Sequence, residues 1–69
     1  MKLSARNMLK GKIVELKVGA VNVEVVIELP GGSQITSIIT KESSEKLGLA
    51  IGKEAYAIMK ASTIMVAVD

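Results

Sequence analysis

Sixty-nine residues make a single domain, 1–69, of a size at which one hydrophobic core is barely adequate. There is no cysteine and no histidine, which excludes disulfides, thiolate and imidazole chemistry and most zinc or copper sites. Nine Lys/Arg against seven Asp/Glu give a net charge of +2, a mild preference for anions and no polybasic nucleic-acid footprint. Hydrophobic residues make up 49% of the chain, nearly all aliphatic, with Tyr56 the only aromatic; β-branched types are prominent and favour strands. No apolar run approaches the roughly 20 residues of a membrane span. Polar residues follow Met1-Lys2-Leu3 directly, so no signal-peptide core is expected, and a soluble cytoplasmic protein is. A small chain without disulfide or metal staples is expected to oligomerise.

Residues 4–18 read as a long strand with a change of phase. Leu9, Gly11 and Ile13 share one face, whereas Val14, Leu16 and Val18 share the other. Such a switch predicts a bulge or bend, and Gly11 is suited to close backbone approach. After Gly19-Ala20, Val21, Val23, Val25, Ile27 and Leu29 alternate with Asn22, Glu24 and Glu28, the clearest period-two strand in the chain. Pro30-Gly31-Gly32 is a turn, and a strand resumes from Ile35 to Thr40.

The stretch from Thr40 to Gly48 predicts a helix of about two turns. Thr40 is an N-cap candidate, acids lie in the first turn and Gly48 takes the C′ position; a second cap reading starts at Ser43. Ala55-Tyr56-Ala57-Ile58-Met59 and Ile64-Met65-Val66-Ala67-Val68 are read as the last two strands. Both are apolar on both faces, although the chain has only one short helix to cover them. One face is therefore expected inside a small barrel and the other against a second subunit. Five strands, with a short helix between the third and fourth, give an all-β barrel of the oligonucleotide/oligosaccharide-binding type.

Two polar stretches interrupt this apolar plan: Ser4-Ala5-Arg6-Asn7 near one end and Lys60-Ala61-Ser62 near the other. They make sense if the fold, or a second copy of it, brings them together around an anion. Arg6 offers a guanidinium fork for an oxyanion, or is simply a solvated arginine near a chain end. Lys60 is a charge donor, or a rim residue whose stem lies on apolar surface. Thr40 and Ser43 present hydroxyls and backbone N–H groups, or merely cap the helix. Gly31-Gly32 is a hairpin turn without the following helix of a phosphate loop. Glu24 and Glu28 lie on a polar strand face and form no acid–base pair, so no catalytic activity is expected.

Ser4-Ala5-Arg6-Asn7 followed by Gly11, Thr40-x-x-Ser43 before Leu47-Gly48-Leu49, Gly52-Lys53-Glu54 and Lys60-Ala61 together resemble the molbindin (Mop) family, in its stand-alone form. The resemblance spans nearly the whole chain and implies a cytoplasmic protein that binds molybdate or tungstate, with no cofactor beyond that ligand. It implies a homohexamer, a trimer of dimers with the N-terminal strand exchanged between subunits and oxyanions held at subunit interfaces for storage or homeostasis. Carried onto this sequence, it sets Ser4, Ala5 and Arg6 of one chain opposite Thr40, Ser43, Lys60 and Ala61 of another, with Ser62 added. It also implies a further site on the threefold axis, near residues 19–22. Two other classes stand beside it. A single-stranded nucleic-acid-binding barrel would stack bases on aromatics, which one tyrosine cannot supply. A purely structural oligomerisation module would bind no anion.

Overall fold

The computed structural model describes residues 4–69, so the reading of Met1-Lys2-Leu3 lies outside the described residues. The element order is β1 (Asn7–Val18), β2 (Asn22–Glu28), β3 (Gln34–Thr40), α1 (Lys41–Leu47) and β4 (Glu54–Met59), followed by a 3₁₀ turn at Ala61–Thr63. The strands form one antiparallel sheet in the order β3-β2-β1-β4. It curls into a half-barrel whose two edges, β3 and β4, face each other across an open seam.

The phase change in β1 is a bulge. Ile13 pairs with Ile27, but the next partner of β2, Val26, pairs with Glu15, so Val14 is the extra residue. The insertion returns Leu16 to the inner face, where it packs on the cluster formed by Ile13, Val23, Val25, Ile27 and Ala57. Without it, the alternation would carry Leu16 outward. β1 is long enough to serve two partners: its first half pairs with β4, from Asn7↔Met59 to Lys12↔Glu54, and its second half with β2.

Gly11 lies where β1 passes over the end of β2. A Cβ there would collide with the Glu28 carbonyl oxygen and lie 2.8 Å from Ile27 Cγ2. The absence of a side chain therefore sets how closely the two strands approach. At the β2–β3 connection, Gly31 and Gly32 both take φ of 96°, a backbone region that glycine adopts without strain.

The helix begins at Thr40, not at Ser43. Thr40 Oγ1 accepts from the Ser43 backbone N–H at 3.1 Å, and Gly48 closes the other end in the left-handed region. Lys53 Nζ donates to the Leu47 and Gly48 carbonyl oxygens at 3.3 and 3.0 Å. Those carbonyls have no acceptor role left inside the helix, so a cation there is well matched.

The expected fifth strand differs from the structure. Residues 64–68 are extended but join no ladder, and Met65, Val66 and Val68 are 94, 89 and 92% exposed. A strand exists only when another backbone accepts its hydrogen bonds, and this chain leaves the segment without one. Within the single chain, β1 is laddered on both sides by its own β2 and β4.

Two stability predictions follow from these contacts. Gly11→Ala should cost about 1–3 kcal/mol, the range for forcing a methyl into filled space; an unchanged urea midpoint at fixed protein concentration would contradict the close approach. Thr40→Ala should cost about 1 kcal/mol through the lost cap. Thr40→Ser, which keeps the hydroxyl, should recover most of that loss in the same titration.

Candidate functional site

The pairing of β1 with β4 decides where the two polar stretches go. Asn7 opposes Met59, so the residues just before β1 and just after β4 leave the sheet side by side. Ser4, Ala5, Arg6, Lys60, Ala61 and Ser62 line one open groove of about 560 Å³, with Ile58 as its apolar floor. Segments more than fifty positions apart in sequence thus share a wall.

The chemistry of this groove is that of an anion cradle. Arg6 and Lys60 supply two positive charges, and the Ser4 and Ser62 hydroxyls supply directional donors. Among the described residues, neither cation is in an ion pair, whereas Lys10 bonds Glu54 at 3.0 Å, Lys17 reaches Glu15 and Glu24, and Lys46 pairs with Glu42. The Lys10 contact raises that ammonium's pKa and lowers the Glu54 carboxyl's, in each case first through their hydrogen bond and then through their opposite charges. Lys10 is thus engaged elsewhere, whereas among the described residues Arg6 and Lys60 have no carboxylate partner.

Local backbone geometry holds the lysine end of the groove in place. Lys60 is extended, with φ of −72° and ψ of 125°, and the 3₁₀ turn starts immediately after it. The Lys60 carbonyl accepts from both the Thr63 N–H at 3.0 Å and the Thr63 hydroxyl at 2.8 Å. Thr63 is therefore a turn-locking residue. The N–H groups of Ala61 and Ser62, the first of this turn, have no acceptor within it.

Thr40 and Ser43 lie elsewhere in the chain. They stand together at the start of α1, where the Thr40 hydroxyl donates to Ser43 Oγ at 2.8 Å and accepts from the Ser43 N–H. Neither lines the Arg6–Lys60 groove. With the Thr40 proton directed at Ser43, the Ser43 hydroxyl is the donor of the pair left unused. Ser4, Ala5, Arg6, Lys60, Ala61 and Ser62 are thus brought together within one chain, and Thr40 and Ser43 are not.

Two participants escaped the sequence reading. Ile58, a strand residue by its pattern, also lines the groove, and its place two positions before Lys60 is the signal for it. Lys53 was noted only within Gly52-Lys53-Glu54, although a lysine five residues beyond a C-terminal glycine is placed to reach the last helical carbonyls. Tyr56, the single aromatic, is half exposed and lies along the β3–β4 seam, not in the groove. No aromatic side chain lines the groove.

Comparison with known proteins places this geometry in a family. The TOBE domain matches residues 3–66. Molybdenum-pterin-binding protein 2 of Clostridium pasteurianum is 52% identical over 66 residues, which cover 96% of this chain and 97% of that protein. The structure of MopII from Clostridium pasteurianum, in an apo form, superposes with a TM-score of 0.93 at 49% identity, covering 97% of this chain and 100% of that one. The cytoplasmic molybdate-binding protein ModG, in a form with molybdate bound, gives a TM-score of 0.85 at 49% identity, over 88% of this chain and 43% of that one. With a family match over residues 3–66 and a relative 52% identical along its whole length, the chain belongs to the TOBE-domain family and, within it, to the small molybdenum-pterin-binding proteins, the molbindins.

Proposed function

We propose that residues 1–69 act as a single binding domain for molybdate, and for tungstate of the same charge and shape, at the seams of a homo-oligomer that stores the ion. The observation that carries this reading is the convergence of Ser4-Ala5-Arg6 and Lys60-Ala61-Ser62 in one groove whose two cations lack carboxylate partners. The likeness to ModG with molybdate bound supports the choice of ligand.

A tetrahedral dianion requires donors from several directions together with partial neutralisation of its charge. Arg6 and Lys60 answer the second need. The Ser4 and Ser62 hydroxyls and the leading N–H groups of the 3₁₀ turn answer the first from one side. One chain leaves the other side open, and Thr40 and Ser43, exposed and remote from their own groove, are the donors a neighbouring copy would bring. A hexamer built as a trimer of dimers offers such seams.

The absence of an aromatic from the groove favours the bare oxyanion over a pterin. Binding, not catalysis, is the activity that fits: the chain has no cysteine or histidine, and no carboxylate lines the groove. No helix among the described residues is long and apolar enough to cross a membrane.

Calorimetric titration of the assembled protein tests the reading. Molybdate and tungstate should give saturable heat, and sulfate, with shorter bonds, should give much less; no heat with either metal oxyanion on an intact oligomer would sink it. Arg6→Ala should weaken molybdate binding about 10- to 100-fold, the loss expected for charge-assisted hydrogen bonds. Native mass spectrometry of that variant should show the wild-type subunit number. Dissociation into single chains would instead make Arg6 an assembly residue.

A further inference from the structure

The Lys60 carbonyl is held twice by one residue. Thr63 gives it the backbone N–H at 3.0 Å and the side-chain hydroxyl at 2.8 Å, so both lone pairs of that oxygen are occupied. The other hydrogen bond of this turn, from the Ile64 N–H to the Ala61 carbonyl, is longer at 3.4 Å. No residue of the turn is buried, so core packing does not order it. Its shape rests on the contacts that Thr63 makes.

Holding that carbonyl also orients a donor. In a trans peptide the C=O and the following N–H point in opposite directions, so fixing the Lys60 oxygen fixes the Ala61 N–H. Lys60 and Ala61 both line the groove with Arg6. Among the described residues, no backbone carbonyl accepts from the Ala61 N–H. A flip of this one peptide would exchange its two ends and put the carbonyl oxygen where the N–H had been. Beside an oxyanion the N–H attracts, whereas the negative end of the peptide dipole repels.

We infer that Thr63 is a positioning residue for the oxyanion groove: its hydroxyl holds the Lys60–Ala61 peptide in the orientation that offers the anion an N–H in place of a carbonyl oxygen. Thr63 does not itself line the groove and acts through its two neighbours in the wall. An exposed turn without that hold populates both orientations, and affinity falls with the fraction of chains in the competent one. This inference rests on the proposed binding of molybdate and adds to it a residue that touches no ligand.

Two variants separate the hydroxyl from the rest of the side chain. Thr63→Val keeps the shape and the backbone N–H but removes the hydroxyl donor, and Thr63→Ser keeps the donor but removes the methyl. In calorimetric titration of the full-length assembled protein, Thr63→Val should weaken molybdate binding about 3- to 10-fold, the loss expected for one uncharged hydrogen bond. Thr63→Ser should bind as the unaltered chain does, and native mass spectrometry should give the same subunit number for all three. Amide NMR supplies a readout that a merely structural role would not move. Molybdate should shift the Ala61 N–H resonance strongly in the unaltered chain and in Thr63→Ser, and much less in Thr63→Val. Unchanged affinity in Thr63→Val, equal losses in both variants, or an Ala61 shift indifferent to the hydroxyl would overturn the inference. Loss of subunits in Thr63→Val would make the residue an assembly contact and overturn it too. An unaltered chain that takes up no molybdate removes the binding reading itself, whereas one that binds no better than Thr63→Val removes only the role of Thr63.

Discussion

The antiparallel ladder between β1 and β4 is the constraint on which the molecule's other features depend. It carries β1 past the end of β2, where Gly11 allows the crossing, and so turns a meander into a curled sheet. The register Asn7↔Met59 then fixes what lies beyond each strand end. One residue of slip would swap the inner and outer faces of β4, burying Tyr56 and Ile58 and expelling Ala57. The same slip would separate Arg6 from Lys60. Fold and site therefore depend on the same register.

The energetic position of the single chain explains why its surface looks unfinished. Five side chains, Ile13, Val23, Val25, Ile27 and Ala57, form the buried cluster, a thin core for a domain of this length. Many large apolar residues remain exposed, among them Val18, Val21, Ile38, Ile51 and the segment from Ile64 to Val68. Burying Met65, Val66 and Val68 gains about 1.5–3 kcal/mol each.

Much of this was legible in the sequence because the relevant signals are local. The alternation from Val21 to Leu29, the Pro30-Gly31-Gly32 turn and the helix closed by Gly48 depend on residues within a few positions of one another. The phase change in residues 4–18 marked the bulge, although only the register with β2 identifies Val14 as the extra residue. What the sequence could not supply was pairing at a distance. Ile64-Met65-Val66-Ala67-Val68 has every property of a strand except a partner, and partnership is not written in the segment itself. In the same way, Thr40 and Ser43 carried a real helix-cap signal, but their separation from Arg6 follows from the path of α1 across the sheet.

The groove shows how a weakly charged chain can still gather positive charge in one place. A net charge of +2 gives little long-range attraction, and the lysines that form ion pairs are neutralised where they stand. Among the described residues the ion-paired lysines are Lys10, Lys17 and Lys46, and Arg6 and Lys60 come together in one groove without a carboxylate partner. Arg6 and Lys60 approach that place from opposite ends of the chain, so neither has a carboxylate within its own local sequence to capture it: Glu54 and Glu15 are the nearest acids, and both are engaged by lysines of β1.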